Sequence, residues 1–435
     1  MPKIQGEALT FNDVMLVPRK TENRIENISL KTRLTDNITL NAPLISSPMD
    51  IVTESRMAIA IARQGGIGLI HKDLSIEEQS AEVDKVKRSE YGVIKSPISL
   101  NPNRYVYEAE ELMKKYRISG IPITEFDRLV GIITNRDLRF EEDYDKKIYE
   151  VMTRENLITA RVGTDFEQAK IILDKHKIEK LPIVDDNGDL KGLITTKDIM
   201  KAIEYPNSAK DKDGALLVGA AVEIAEDMIE RVDELVKCSV DIIAIDSPHG
   251  HTSEVIEAIR QIKMNHPNLP IIAGNVVTAE GVKDLIDAGA DVIRVGVGSS
   301  SASDLGVVSG VGMPQITAII ECTEEARKHG IAVISDGGIK ASGDVVKAIA
   351  AGASAVMMGS MLVERRKEHK DYAKELITQI IENIKTGMHY CGVTTIEEMK
   401  KDAHFVKITP AGYNESLPHK FEASKEYRNT LYKRY

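Results

Sequence analysis

Tryptophan is absent from this chain and aromatic residues make up only 4% of it, so the stacking platforms that single-stranded nucleic acid needs are missing. Cysteine is scarce as well. Cys238, Cys322 and Cys391 lie far apart with no CxxC pair, which argues against a disulfide framework or a thiolate zinc site and favours a reducing cytoplasm. No apolar run reaches membrane-spanning length, and the opening residues MPKIQGEALTF hold no apolar signal core. A formal charge of −10 speaks against a general polyanion binder, while leaving room for a single nucleotide held by local dipoles. The expectation is a cytoplasmic protein with no nucleic-acid partner and no membrane partner.

What is present is ample apolar sequence in short runs. With 435 residues, 42% of them hydrophobic, the chain can build one domain of about 250 residues or more and a second, smaller one. Strand-like runs occur at NAPLISSPMD and GGIGLIHKD, and, after an interruption, at LLVGAAV, VDIIAID, PIIAGNV, ADVIRVGVG, AVISDGG and ASAVMMGS. Amphipathic segments such as EIAEDMIERVDELVK and TAEGVKDLIDAG separate them. Eight parallel strands alternating with helices predict an α/β fold, a (β/α)8 TIM barrel with its site at the strand C-terminal ends. A doubly wound sheet is the runner-up, but GVGSSS has the wrong spacing for G-x-G-x-x-G. Within 332–360, Gly337 and Gly338 follow one strand and Gly359 and Ser360 the next. Two such turns side by side suit a phosphate cradle, and they also suit ordinary strand-to-helix turns.

The interruption contains a repeat. RISGIPITEFDRLVGIITNRDL and KIEKLPIVDDNGDLKGLITTKDI each read as a helix, a strand, a polar turn, a strand ending in Thr-x-x-Asp, and a further helix. The pair resembles tandem cystathionine-β-synthase-type (CBS) domains, an α+β module inserted into the barrel. By that resemblance Thr134 with Asp137, and Thr195 with Asp198, hold an adenine or guanine nucleotide; a purely structural pair remains the alternative. The division expected is barrel at 1–90, CBS domains at 91–208 (about 91–150 and 151–208), and the rest of the barrel with a C-terminal segment at 209–435.

Polar residues gather at the strand ends: Ser46, Ser47, Met49, Asp246, Ser247, His249, Asn275, Arg294, Gly296, Gly298, Asp336, Gly359 and Ser360. With the inserted pair, LTFNDVMLVP near the start and GMHYCGVTTIEEM…FVKITPAG near the end, this order resembles the inosine monophosphate dehydrogenase and guanosine monophosphate reductase family over nearly the whole chain. The resemblance implies that Asp336 holds the ribose hydroxyls of a purine nucleotide monophosphate and that Gly338, Gly359 and Ser360 hold its phosphate. It implies that Ser47 and Met49 lie against sugar and base, and that Asp246, Ser247 and Asn275 face the cofactor NAD. A carboxylate accepting from paired hydroxyls is sound chemistry, although one such aspartate alone would read as a helix cap. His249 and His251 have no third ligand nearby, so no metal is expected there. The family's tetramers imply a homotetramer or larger.

Two departures stand out. The family's loop G-x-G-P-G-S-I-C-T-T-R becomes GVGSSSASDLG, so Ser303 stands at the catalytic cysteine's position, and the potassium site built partly from that loop's carbonyls is put in doubt. An alcohol needs a positioned base where a thiol does not, and none is evident. After Ser360 the chain passes almost directly into a C-terminal helix pattern, without the family's long flap. The leading expectation is therefore a nucleotide-binding pseudoenzyme, impaired or inactive in NAD-dependent oxidation of IMP to XMP, acting as a regulator or in a mixed assembly with an active paralogue. The alternative is an active oxidoreductase, dehydrogenase-like or reductase-like, with Ser303 or a directly activated water in place of the thiol.

Overall fold

The computed structural model describes residues 6–89, 94–95, 97–116, 118–298, 305–363 and 372–417. The eight apolar runs form β1 (Leu44–Ser46), β2 (Ile67–Ile70), β3 (Val218–Val222), β4 (Ile242–Ile245), β5 (Ile271–Val276), β6 (Val292–Val295), β7 (Ala332–Asp336) and β8 (Ala355–Met358). Each pairs in parallel with the next, and β8 closes on β1 with Met358 opposite Ser46, giving a closed parallel barrel.

Such strands are covered on both faces, which is why they read as continuous apolar runs. On β4, Ile242 and Ala244 join Ile45, Ile334 and Met357 inside the barrel, whereas Ile243 and Ile245 pack outward against helices. The helices follow their strands: α1 (Ser55–Arg63), α2 (Ile76–Lys87), α3 (Met228–Lys237), α4 (Ser253–Asn265), α5 (Ala279–Ala288), α6 (Gln315–Lys328), α7 (Ser342–Ala350) and α8 (Tyr372–Tyr390). A short hairpin, Thr32–Arg33 with Thr39–Leu40, plugs the N-terminal end of the barrel with Leu34, Ile38 and Leu40.

The chain leaves the barrel after α2 and returns at β3. Between them lie the two copies of the repeat: helix Val106–Tyr116 with strands Gly120–Glu125 and Arg128–Thr134, and helix Phe166–His176 with strands Lys180–Val184 and Leu190–Thr195. Each copy has its own core, one around Ile121 and Ile133 and the other around Leu181 and Ile194. Their edges are exchanged. Lys95, ahead of the first copy, pairs with Gly192 of the second, and Thr153, ahead of the second, pairs with Ile132 of the first.

One local expectation fails here. The second copy ends in helix Thr196–Glu204, but 135–140 of the first form turns. Leu138 is followed at helical spacing by Glu141 and Glu142, so no apolar stripe exists to hold a helix down. No helix among the described residues is long and apolar enough to cross a membrane.

Candidate active site

The barrel register gathers charge at the strand C-terminal ends. Arg294, opposite Gly274 on β5 and Ile334 on β7, is only 8% exposed. Its Nη1 donates to Asp246 Oδ1 at 2.9 Å and its Nε to Asp336 Oδ2 at 2.9 Å. Burial works against its charge, but the two carboxylates outweigh burial and hold the guanidinium above its already high range. One buried cation thus ties together the two aspartates expected to face cofactor and nucleotide.

Asn275 completes this cluster. Its Nδ2 donates to Gly296 O at 2.7 Å and to Asp336 Oδ2 at 2.9 Å, which sets the amide orientation. Its Oδ1 is buried without a partner. With Asp336 Oδ2 saturated by two donors, Asp336 Oδ1 has no partner among the described residues. Two acceptor oxygens are therefore left for donors from a ligand. The loops beyond β4 and β5 lock together, Asn275 N donating to Ser247 O at 3.0 Å and Gly250 N to Asn275 O at 2.7 Å. Ser247 Oγ itself turns back to His249 O at 3.0 Å.

On the other side of the rim Ser47 N donates to Met358 O at 3.0 Å, and a Cβ built on Gly359 would meet Met49 Sδ at 2.9 Å and Ser47 Cβ at 3.7 Å. Ser47, Met49 and Gly359 are thus brought together. Ser360 opens a 3-10 turn, Ser360–Leu362. Gly337 and Gly338 both take positive φ, +98° and +75°, and Gly338 lines a cavity of about 470 Å3 with Gly298, Gly306, Gly312, Gln315 and Lys340. Ser303 lies outside the described residues.

Sequence reasoning missed the residues that hold these loops. Gln315, 2% exposed, reaches Val295 O (2.9 Å), Ser335 Oγ (3.1 Å) and Asp336 O (3.1 Å). Gln79 similarly reaches His71 O (2.9 Å) and Ala221 O (2.8 Å) across β2 and β3. Thr53 Oγ1 donates to Ser47 O at 2.6 Å and can accept from Ser46 Oγ at 2.9 Å. For Gln315 and Gln79 a polar residue on the core-facing side of a helix is the signal; Thr53, ahead of α1, carries none. His71, just past β2 and 3% exposed, has both ring nitrogens unpartnered, with Glu54 Oε1 at 3.9 Å. His251 Nε2 pairs with Asp284 at 2.8 Å.

No cysteine offers a ready thiolate. Cys322 is fully buried on α6 and burial pushes its thiol up to about 12; burial also raises Cys391 and Cys238.

In the inserted unit, Thr195 and Asp198 line a cavity of about 590 Å3 together with Gly120, Lys180, Lys197 and Lys201, and burial lowers the Lys180 ammonium below its usual range. Both copies bond threonine to aspartate, Thr195 Oγ1 donating to Asp198 Oδ2 and Thr134 Oγ1 to Asp137 Oδ2 (2.6 Å), while Asp137 also takes Thr134 N on Oδ2 (2.7 Å) and Thr153 Oγ1 on Oδ1 (2.9 Å).

The family described as the IMP dehydrogenase / GMP reductase domain matches residues 8–368 and 363–419. An inosine-5'-monophosphate dehydrogenase of Halalkalibacterium halodurans is 50% identical over 478 residues, covering 98% of this chain and 99% of that one. Its counterpart in Bacillus subtilis is 48% identical over 480 residues, covering 98% of each. Among solved structures, a cysteine-to-alanine variant of GMP reductase from Trypanosoma brucei in complex with guanosine 5'-monophosphate superposes with a TM-score of 0.84 at 32% identity, covering 95% of this chain and 98% of that one.

These relatives overturn the expectation of an impaired or inactive pseudoenzyme. That expectation rested on one loop position and one shortened segment, whereas proteins alike over almost their entire length are IMP dehydrogenases, and the Arg294 cluster is fully assembled. The chain belongs to the IMP dehydrogenase / GMP reductase family.

Proposed function

We propose that this protein is an NAD-dependent oxidoreductase acting on a purine nucleotide monophosphate at the C-terminal rim, oxidising IMP to XMP. The carrying observation is the pair of unpartnered acceptors, Asp336 Oδ1 and Asn275 Oδ1, braced by Arg294. Asp336 accepts from the ribose hydroxyls; Gly338, Gly359 and Ser360 present backbone N–H groups to the phosphate; Ser47 and Met49 flank sugar and base. The orphaned Asn275 oxygen beside Asp246 and Ser247 fits a dinucleotide that offers hydroxyl or amide donors. NAD, when bound, supplies the hydride acceptor. With every thiol raised by burial, the atom that adds to C2 of the purine is an oxygen, from water or from Ser303. Its proton is lost to solvent as the new C–O bond forms, and the C2–H bonding pair leaves as hydride; where the oxygen is that of Ser303, a water then displaces it from C2, releasing XMP and restoring the hydroxyl.

Purified protein with IMP and NAD is expected to develop the absorbance of the reduced cofactor, and Asp336→Ala to abolish it. No signal from the unsubstituted protein would sink this reading. The Trypanosoma brucei neighbour favours a second one, reductive deamination of GMP, which ammonia release from GMP and reduced cofactor would detect.

We infer the flap to be shortened, since the two matched segments adjoin at 363–368, and alignments over 478 residues contain more positions than the 435 of this chain. The domain division 1–90, 91–208 and 209–435 and a nucleotide-binding CBS pair are likewise proposed, supported by the exit and return points of the chain and by the cationic cleft beside Thr195 and Asp198. Val307 and Val308, 90% and 83% exposed beside the rim, support assembly into a homotetramer or larger, which sedimentation would test.

A further inference from the structure

At the opposite end of the barrel a cavity of about 850 Å3 opens between the plugging hairpin, the start of β7, the turn before β8 and the helix Ile396–Asp402. Five cations line it, Lys31, Arg33, Arg327, Lys400 and Lys401, against one carboxylate, Glu397. In a chain of formal charge −10 this is a concentration of the minority sign. Two of the five are engaged. Arg33 reaches Asp36 Oδ1 (2.6 Å) and Gly330 O (3.3 Å), and Lys400 reaches Glu397 (2.8 Å) and Ser354 Oγ (3.0 Å). The side chains of Lys31, Arg327 and Lys401 have no hydrogen-bond or ion-pair partner among the described residues.

The last turns of two helices account for Arg327 and Lys401, because cations there offset the helix dipole. They do not account for Lys31 on the hairpin, nor for Thr323. That residue lines the cavity, is 8% exposed, and its hydroxyl has no partner, an unusual state for a buried polar atom. The wall beside it is kept open by Gly352, whose φ is +121° and where a Cβ would meet Thr323 Cγ2 at 2.6 Å. Ile331, Ala332 and Val333 supply an apolar strip along the same wall.

We infer that this cavity binds a multiply charged phosphate compound of nucleotide size, its phosphates held by Lys31, Arg327 and Lys401 and one oxygen accepting from Thr323 Oγ1. Three uncommitted cations suit a di- or triphosphate better than a monoanion, and the volume lies in the range of small-molecule sites. The site is separate from the catalytic rim and does not rest on the reading given for it.

Amine-labelling rates of the full-length protein, read residue by residue by mass spectrometry, test this with inorganic tripolyphosphate as the probe. The expected result is about tenfold slower labelling at Lys31 and Lys401, with no change at Lys20, whose side chain is 84% exposed. Arg327→Gln should raise the tripolyphosphate concentration needed by about tenfold; the near-isosteric Thr323→Val should raise it several-fold; Asp336→Ala should leave it unchanged. Equal slowing at Lys20, or protection undiminished in Arg327→Gln, would overturn the inference.

Discussion

A Cβ placed on Gly296 would lie 1.9 Å from the carbonyl oxygen of Asp336, and the φ of Gly296 is +147°. The contact leaves no room for any side chain where β6 runs out beside β7. Gly296→Ala is therefore expected to cost about 2–4 kcal/mol through strain and forced displacement. It should displace Asp336 as well, and with it the proposed ribose contact. Denaturant unfolding and activity, measured on the same preparation, should both fall.

Arg294 is the second test of this rim. Replacing it by Gln leaves Asp246 and Asp336 without their shared cation in a largely dry setting, a change expected to cost about 3–5 kcal/mol. Arg294→Lys keeps the charge but cannot span both carboxylates with a planar fork. Activity should fall in the order Arg, Lys, Gln, and the Asp246→Asn background should soften the loss for Gln, because one of the two orphaned charges is then gone.

Thiol reagents separate oxygen-based from sulfur-based chemistry. With Cys322 pushed up to about 12 and Cys391 also raised by burial, iodoacetamide near neutral pH is expected to spare both and leave turnover intact. Inactivation that tracks labelling of Cys322 or Cys391 would give the nucleophile's role to a cysteine.

How much of this was legible beforehand follows from what each residue's partners are. All eight barrel strands could be read, because strands covered on both faces must be short apolar runs ending in small or polar residues. Asp246, Asn275 and Asp336 could be placed on one rim for the same reason. The grip of Arg294 on both aspartates could not, since it spans three strands whose register only the closed barrel fixes. The partners of Gln315, Gln79 and Thr53 could not be read because they are mainly backbone carbonyls, which carry no sequence signal. The turn at 135–140 was misread because the repeat suggested a helix that the acidic run after Leu138 cannot anchor.

Where the inserted unit joins the barrel, Lys87 at the end of α2 lies 2.9 Å from Asp211 and 2.6 Å from Asp241. Burial raises Asp241 to about 6, against the opposing pull of Lys87. A carboxyl that binds its proton more tightly folded than unfolded stabilises the fold below about pH 4, and that contribution is lost as pH rises through about 6. Between those values the unsubstituted protein should lose about 2–3 kcal/mol relative to Asp241→Asn. Unfolding free energies of the two, compared across this window, check the sign; parallel curves would contradict it.

The two Thr-Asp pairs of the inserted unit are expected to behave differently despite their matching motifs. Asp137 has both carboxylate oxygens engaged by Thr134 and Thr153, so it braces its own turn. Asp198 also accepts from its threonine, Thr195 Oγ1 on its Oδ2, but it borders the cavity with Lys180, Lys197 and Lys201, where a phosphate would find positive charge. Asp198→Ala should therefore weaken adenine or guanine nucleotide binding at least tenfold, about 1.4 kcal/mol, beyond the roughly 1 kcal/mol of stability lost with its Thr195 bond. Asp137→Ala should cost about 1–2 kcal/mol of stability and alter affinity little. Calorimetric titration of both variants, beside their melting curves, tests the contrast; equal loss of affinity would mean that the cleft is read from both copies.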